Sequence, residues 1–302
     1  MKILVFGHKN PDTDSICSAL VEELVDRKEK KAVRLGKINK ETQYVLDYLG
    51  IEAPELIENI EEGQKVELVD HNEFTQSVKG IENAKILSVI DHHRISNFET
   101  SEPLYYTAKP YGCTSTVLFE NYKQSGVTIN KEEAFLMASA IISDTLLLKS
   151  PTTTENDKNA LKELGEIADI NINEYGIKML KAGTDLDDFT AEELVNLDAK
   201  KVDKNGSKFV IAQVNTVSIP DVLKRQEELE TAMKNEIEKN KLDLFVLAIT
   251  DILESNSEII ALGSKQKIVE KAFNTTLNNN TAFLEGVVSR KKQILPNIDK
   301  NL

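Results

Sequence analysis

Three segments of this chain place imidazole and carboxylate groups side by side. The apolar run Ile3-Leu4-Val5-Phe6 leads into His8-Lys9-Asn10-Pro11-Asp12-Thr13-Asp14, a later run ends at Asp70-His71-Asn72, and another ends at Asp91-His92-His93. All four histidines of the 302-residue chain fall in these places, each within one to four residues of an aspartate. A single aspartate ahead of a helix ordinarily caps it, and a single histidine is more often structural than a ligand. Chance rarely gathers every histidine at such termini, so the joint pattern points to metal binding. Carboxylate and imidazole without thiolate suit manganese, magnesium, cobalt or zinc, and the donors outnumber what one ion takes. Two ions about 3.5–4 Å apart can activate a water and clamp a phosphoryl oxygen for in-line displacement. Lowering the pKa of water from about 15.7 toward about 7 makes hydroxide available by up to roughly 12 kcal/mol, whereas one general base supplies about 10²–10⁴-fold.

A fourth acid, Asp144, interrupts the apolar segment FLMASAIISDTLLLKS. Burying a lone carboxylate is costly unless a cation or donors meet it. A turn aspartate beside Ser143 and Thr145 is the bland alternative, and a metal ligand is the preferred reading. The second half of the chain has no histidine but offers Lys200 in Leu-Asp-Ala-Lys and the cluster Ser289-Arg290-Lys291-Lys292. A guanidinium fork and an ammonium suit phosphate oxygens, and a cleft between domains would bring them opposite the metals. Charge runs are usually solvated surface, so sequence leaves both readings of this cluster open.

The elements that must hold these groups follow from periodicity. Short β-branched runs (KILVFGH, AVRLG, VELVDH, ILSVIDHH) alternate with helical-period segments at 14–30 and 39–49, which predicts a parallel sheet with helices on both faces. In such sheets function collects at the carboxyl ends of the strands. Helical periods recur near 113–124, 131–147, 155–168 and 172–181, and then comes the polar stretch GTDLDDFT. The expected division is a catalytic domain at 1–186, a linker at 187–190 and a smaller mixed-sheet α/β domain at 191–302. In the latter, Lys204-Asn205-Gly206 reads as a hairpin turn. A helix is expected at about 220–240, with strands at LDLFVLAI, SEIIALG and GVVSRKKQIL.

Composition sets the outer bounds. The length exceeds what one core usually organises, roughly 250–300 residues. The net charge of −13 argues against broad nucleic-acid binding. No stretch approaches the roughly 20 apolar residues that span a bilayer, and the opening apolar run is too short for a signal peptide. Cys17 and Cys113 lie far apart with no CxxC pair, which fits a reducing cytoplasm.

GHKNPDTDS at 7–15, VDHNE at 69–73, DHH at 91–93, the Ile-Ser-Asp-Thr run around Asp144 and SRKKQ at 289–293 stand in the order found in one family. Over essentially its whole length the chain resembles the DHH phosphoesterase superfamily, and in detail its manganese-dependent, family II inorganic pyrophosphatases. The resemblance implies an N-terminal DHH domain and a C-terminal DHHA2 domain that closes over the site. It implies that His8, Asp12 and Asp70 hold one manganese while Asp14, Asp70, His92 and Asp144 hold the other, with Asp70 bridging. Cobalt or magnesium would substitute, and magnesium would accompany the substrate. His93 would face the substrate and assist the leaving group, and Lys200, Arg290, Lys291 and Gln76 would bind the pyrophosphate. A homodimer is also implied. Some relatives carry a nucleotide-binding insert, but here only a short stretch separates Asp70 from Asp91. The rivals are an exopolyphosphatase, a short-oligonucleotide or 3′-phosphoadenosine phosphate phosphatase, and a non-catalytic metal or phosphate sensor. Against the nucleotide phosphatases stands the absence of any histidine after His93.

Overall fold

A computed structural model describes residues 2–204 and 206–301. The chain divides into two compact units, Met1–Gly183 and Thr184–Leu302. The first contains β1 (Ile3–Phe6), α1 (Thr13–Val25), β2 (Lys30–Arg34), α2 (Lys40–Leu49), β3 (Glu55–Leu56), β4 (Lys65–Val69), β5 (Lys85–Asp91), β6 (Tyr105–Ala108), α3 (Thr114–Gln124), α4 (Lys131–Thr145), α5 (Glu155–Ala168) and α6 (Ile172–Gly183). Its six strands are ordered β3-β2-β1-β4-β5-β6 and pair in parallel throughout. From β1 the chain winds outward to β2 and β3, then returns to place β4 on the other side of β1. The carboxyl ends of β1 and β4 therefore flank the point where strand order reverses, the usual place for a ligand crevice.

Alternation along the strands feeds two cores. Val5, Ala32 and Val69 pack with Ala19 of α1 on one face. Phe6, Val66, Leu68 and Val89 pack on the other with Val78 and Ile81, around the 3₁₀ turns at Phe74–Gln76 and Ile81–Asn83. Helix α4 is apolar nearly all round, with Phe135, Leu136, Met137, Ile141 and Ile142 buried, as a helix packed on several sides must be. It packs against α1 and α5. Asn130 and Glu133 close a capping box at its start, satisfying backbone N–H groups that would otherwise lack partners.

The second unit contains α7 (Ala191–Asn196), β7 (Lys200–Lys204), β8 (Ser207–Thr216), α8 (Ile219–Leu223), α9 (Gln226–Asn240), β9 (Leu244–Asp251), β10 (Asn256–Leu262), α10 (Lys267–Phe273), β11 (Thr281–Leu284) and α11 (Leu295–Asp299). Its sheet runs β11-β10-β9-β8-β7 and is mixed, with β8 and β9 parallel and the other pairs antiparallel. On the central strand β9, Phe245, Leu247 and Ile249 join Leu229, Ala232 and Met233 of α9, while Leu244, Val246 and Ala248 join Val269 and Ile298 on the opposite face.

Several sequence expectations shift. The helix expected at 14–30 ends at Val25, since Lys30 is already paired beside Ile3 in the sheet. The helix expected at about 220–240 is two helices, with Lys224 and Arg225 between them, and Arg225 donates to the carbonyls of Leu186 and Phe189. The strand expected across GVVSRKKQIL is absent, and a π-helical turn occupies Arg290–Ile294. Ser289 accepts from Lys292 N through Oγ and from Gln293 N and Ile294 N through its carbonyl. Gln293 Oε1 accepts from Val288 N and Ser289 N, so local bonds displace a sheet ladder. Asn205, the centre of the expected hairpin turn, lies outside the described residues.

Because α4 carries Asp144 in its last turn, its cap matters to the site. Asn130→Ala is expected to lower stability by about 1 kcal/mol, seen as a lower urea midpoint with an unchanged m-value.

Candidate active site

Asp70 follows β4 with φ 57°, a left-handed conformation uncommon for a residue with a side chain. Only 1% of it is exposed. Its backbone N–H donates to the carbonyl of Ile90 at 3.0 Å, which turns the side chain among the strand ends. Oδ2 faces His8 Nε2 at 3.4 Å, and Oδ1 faces His92 Nε2 at 3.4 Å. His8 also lies 3.5 Å from Asp12, and His92 lies 3.8 Å from Asp144. Two donor sets result: His8, Asp12 and Asp70, and Asp14, Asp70, His92 and Asp144. Within each set one ligand atom per residue lies within 4.8 Å of the others. A further grouping joins Asp70, His92 and His93.

Gly7 makes the close approach of α1 feasible. A Cβ there would lie 2.5 Å from Ser15 Cβ, closer than any packed carbons tolerate. With that space, Ser15 Oγ donates to Asp70 Oδ2 at 2.6 Å, and Thr114 Oγ1 donates to Oδ1 at 3.1 Å. Asp14 is held by the start of α3: Thr114 N and Ser115 N donate to it at 2.6 and 3.2 Å, and Ser115 Oγ and Ser18 Oγ add two more bonds. A helix N-terminus favours a carboxylate through its exposed N–H groups and dipole. Glu41 of α2 accepts from Thr13 Oγ1 at 2.7 Å and from Ser143 Oγ, joining the neighbours of Asp12 and Asp144. After Asp144 the chain runs through Leu146, Leu147 and Leu148 with φ of 48°, 55° and 66°. Leu147 packs where a Cβ on Gly176 would lie 2.6 Å away.

His92 Nδ1 donates to the Tyr111 carbonyl at 3.0 Å, leaving Nε2 for the cluster. A backbone anchor of this kind is how proteins orient an imidazole that could serve as a ligand. His93 Nδ1 donates to Asp91 Oδ1 at 2.9 Å. The same oxygen accepts the backbone N–H groups of His92 and His93, and Asp91 Oδ2 accepts from Asn72 at 2.6 Å. His71 differs: its ring nitrogens meet the Val69 carbonyl and Ser77 Oγ, and burial lowers its pKa, so it is a neutral structural residue. His8, Asp70, His93 and Gln76 line a cavity of about 360 Å³ together with Asn72, Glu73 and Arg94. Lys200 lies on edge strand β7 of the second unit, and Arg290 and Lys291 lie in its π-helical turn.

The donor chemistry fits hard or borderline divalent ions, since every ligand atom is carboxylate oxygen or imidazole nitrogen. Electrostatics agree. Burial and the neighbouring Asp70 raise Asp14 to about 6. Burial, then Asp14 and Asp70, push Asp144 well above the carboxylate range. Burial disfavours charge on His8, yet hydrogen bonds with Asp12 and Asp70 outweigh it and raise its pKa to about 10. His92 rises to about 9 in the same way, through Asp70 and Asp14. Asp70 is desolvated, but His8 and His92 hold it far below the usual range. Protons thus stand where cations would.

Sequence reasoning missed Ser15, Thr114, Ser115, Glu41 and the orienting part of Asp91. Small hydroxyl residues carry no pattern of their own, although Cys113-Thr114-Ser115 at a helix start was a readable cue for anion holding.

The DHH family N-terminal domain model matches residues 2–141, and the DHHA2 domain model matches residues 177–301. Fold and site together define a DHH phosphoesterase. The manganese-dependent inorganic pyrophosphatase of Bacillus subtilis is 57% identical over 98% of this chain and 97% of its own length. A candidate family II inorganic pyrophosphatase of Methanococcus jannaschii, known from its crystal structure, is 41% identical with a TM-score of 0.62, covering 100% of this chain and 99% of that one. The chain belongs to the manganese-dependent, or family II, inorganic pyrophosphatases.

The raised pKa values fix the sign of a pH dependence. At neutral pH metal-free His8 and His92 are protonated, so ion binding must release protons. Roughly two should appear per protein, and apparent manganese affinity should rise with pH until it passes about 9 to 10, where the two imidazoles lose their protons. Calorimetry in buffers of different ionisation enthalpy measures both. Affinity independent of pH would contradict the assignment.

Proposed function

We propose that this protein hydrolyses inorganic pyrophosphate to two phosphates with two divalent ions, manganese foremost. His8, Asp12 and Asp70 hold one ion, and Asp14, Asp70, His92 and Asp144 hold the other. The observation that carries this reading is Asp70, a buried carboxylate whose two oxygens each face a different histidine. When bound, such an ion pair lowers the pKa of a water and neutralises phosphoryl charge. Cobalt or magnesium substitutes, since ligand type admits all three, and magnesium accompanies the pyrophosphate.

The remaining work belongs to the chain. The hydrogen bond to Asp91 raises the pKa of His93, and its ring is half exposed beside the cavity. With Nδ1–H on Asp91, the Nε2 edge is left for substrate and donates to the oxygen of the leaving phosphate. Gln76 offers an amide from the same cavity. Arg290, Lys291 and Lys200 bind the phosphoryl oxygens, for which fork and ammonium are suited. Residues 1–186 form the catalytic domain and 191–302 the substrate-binding domain, joined by 187–190. Two free, buried cysteines suit a reducing cytoplasm. No helix among the described residues is long and apolar enough to cross a membrane. The family resemblance adds a homodimer, which sedimentation measures.

Purified protein with manganese should release phosphate from pyrophosphate in preference to tripolyphosphate, a dinucleotide or 3′-phosphoadenosine phosphate. Preference for any of the latter would keep the metal site and overturn the substrate. Asp70→Ala should abolish turnover and weaken metal binding while the chain stays folded; near-normal activity would contradict the shared-carboxylate reading. His93→Gln should lower kcat by about 10²–10⁴-fold with manganese content unchanged.

A further inference from the structure

Arg290 is held at both ends. Its backbone N–H donates to Gln213 Oε1 at 3.0 Å, and Gln213 Nε2 donates in turn to the Val288 carbonyl at 3.0 Å. Its guanidinium meets Asp198 through two bonds, Nε to Oδ2 at 3.2 Å and Nη2 to Oδ1 at 2.7 Å. The arginine side chain is 17% exposed and the aspartate 60%. Asp198 adopts φ 42°, a left-handed conformation that aspartate tolerates better than most residues. An ordinary exposed ion pair adds little stability, so stability alone is a weak reason for so defined a geometry. A carboxylate on Nε and one Nη2 hydrogen leaves the Nη1 edge of the guanidinium free to donate.

We propose that Asp198 is a positioning residue that grips Arg290 side-on and presents its free guanidinium edge to a phosphoryl group of the substrate. The proposal rests on the reading of Arg290 as a phosphate-binding residue. An arginine already held in one rotamer loses less conformational freedom when the anion arrives. Asp198 also sets a negative charge near that anion, and the proposal requires pre-organisation to outweigh the repulsion.

The test uses the manganese-loaded full chain and the variants Asp198→Ala, Asp198→Asn, Arg290→Ala and Asp198→Ala/Arg290→Ala. Steady-state KM and kcat for pyrophosphate, manganese affinity and Tm are measured. Asparagine accepts the left-handed backbone but cannot receive both guanidinium bonds, so it separates the fork from the backbone. Both single changes at Asp198 should raise KM about two- to tenfold, with kcat, manganese affinity and Tm little altered. In the Arg290→Ala background, removing Asp198 should change KM no further. An unchanged or lowered KM in Asp198→Ala, or a rise that persists without Arg290, overturns the positioning role. If Arg290→Ala alone leaves KM and kcat unchanged, the phosphate-binding reading fails and the proposal falls with it.

Discussion

Four carboxylates, from Asp12, Asp14, Asp70 and Asp144, converge at the strand ends of the first unit, and their mutual repulsion is the constraint around which that unit is organised. Like charges in a desolvated site cannot all remain ionised without cations beside them. His8 and His92 relieve the strain when protonated, and divalent ions would relieve it more completely and free those imidazoles to act as ligands. The same feature makes the cluster costly without ions and suited to phosphoryl transfer when ions fill it.

Holding such groups together requires rigid supports from elements distant in sequence. The Asp70 backbone is bonded to β5, its side chain to Ser15 of α1 and Thr114 of α3. Asp14 is held by the first turn of α3, and Glu41 joins the neighbours of Asp12 and Asp144. The left-handed backbone at Asp70 and the left-handed leucine turn after Asp144 are the kind of local strain that a well-packed surround sustains at functional sites. Asp91 illustrates the economy of the arrangement: although outside all three donor groupings that share Asp70, it caps two backbone N–H groups and orients His93.

The second unit solves a different problem. The basic groups proposed to bind the anion, Lys200, Arg290 and Lys291, sit on an edge strand and a turn and not in a core. The π-helical turn leaves Lys291 exposed and Arg290 partly buried, and it forms because Ser289 and Gln293 bind the backbone locally. π-Helical segments are rare and are found disproportionately at functional sites.

The parallel sheet, the division into two units and the types of residue that gather in the acid and imidazole cluster were legible in the chain, because strand alternation, helical period and side-chain chemistry are local properties written in adjacent residues. Asp144 was legible too, as a charge in an apolar run. Tertiary structure alone decided what depends on long-range contacts. It set His71 apart from the other histidines by turning both its nitrogens onto neutral partners, the Val69 carbonyl and Ser77 Oγ, and it recruited Ser15, Thr114 and Ser115 through approaches of up to 101 residues in sequence. It replaced an expected strand by the turn carrying Arg290, because side-chain bonds to the local backbone outcompeted a sheet ladder. Residue type sets what a group can do, whereas which groups meet is settled by how the strands are ordered and how closely the helices pack.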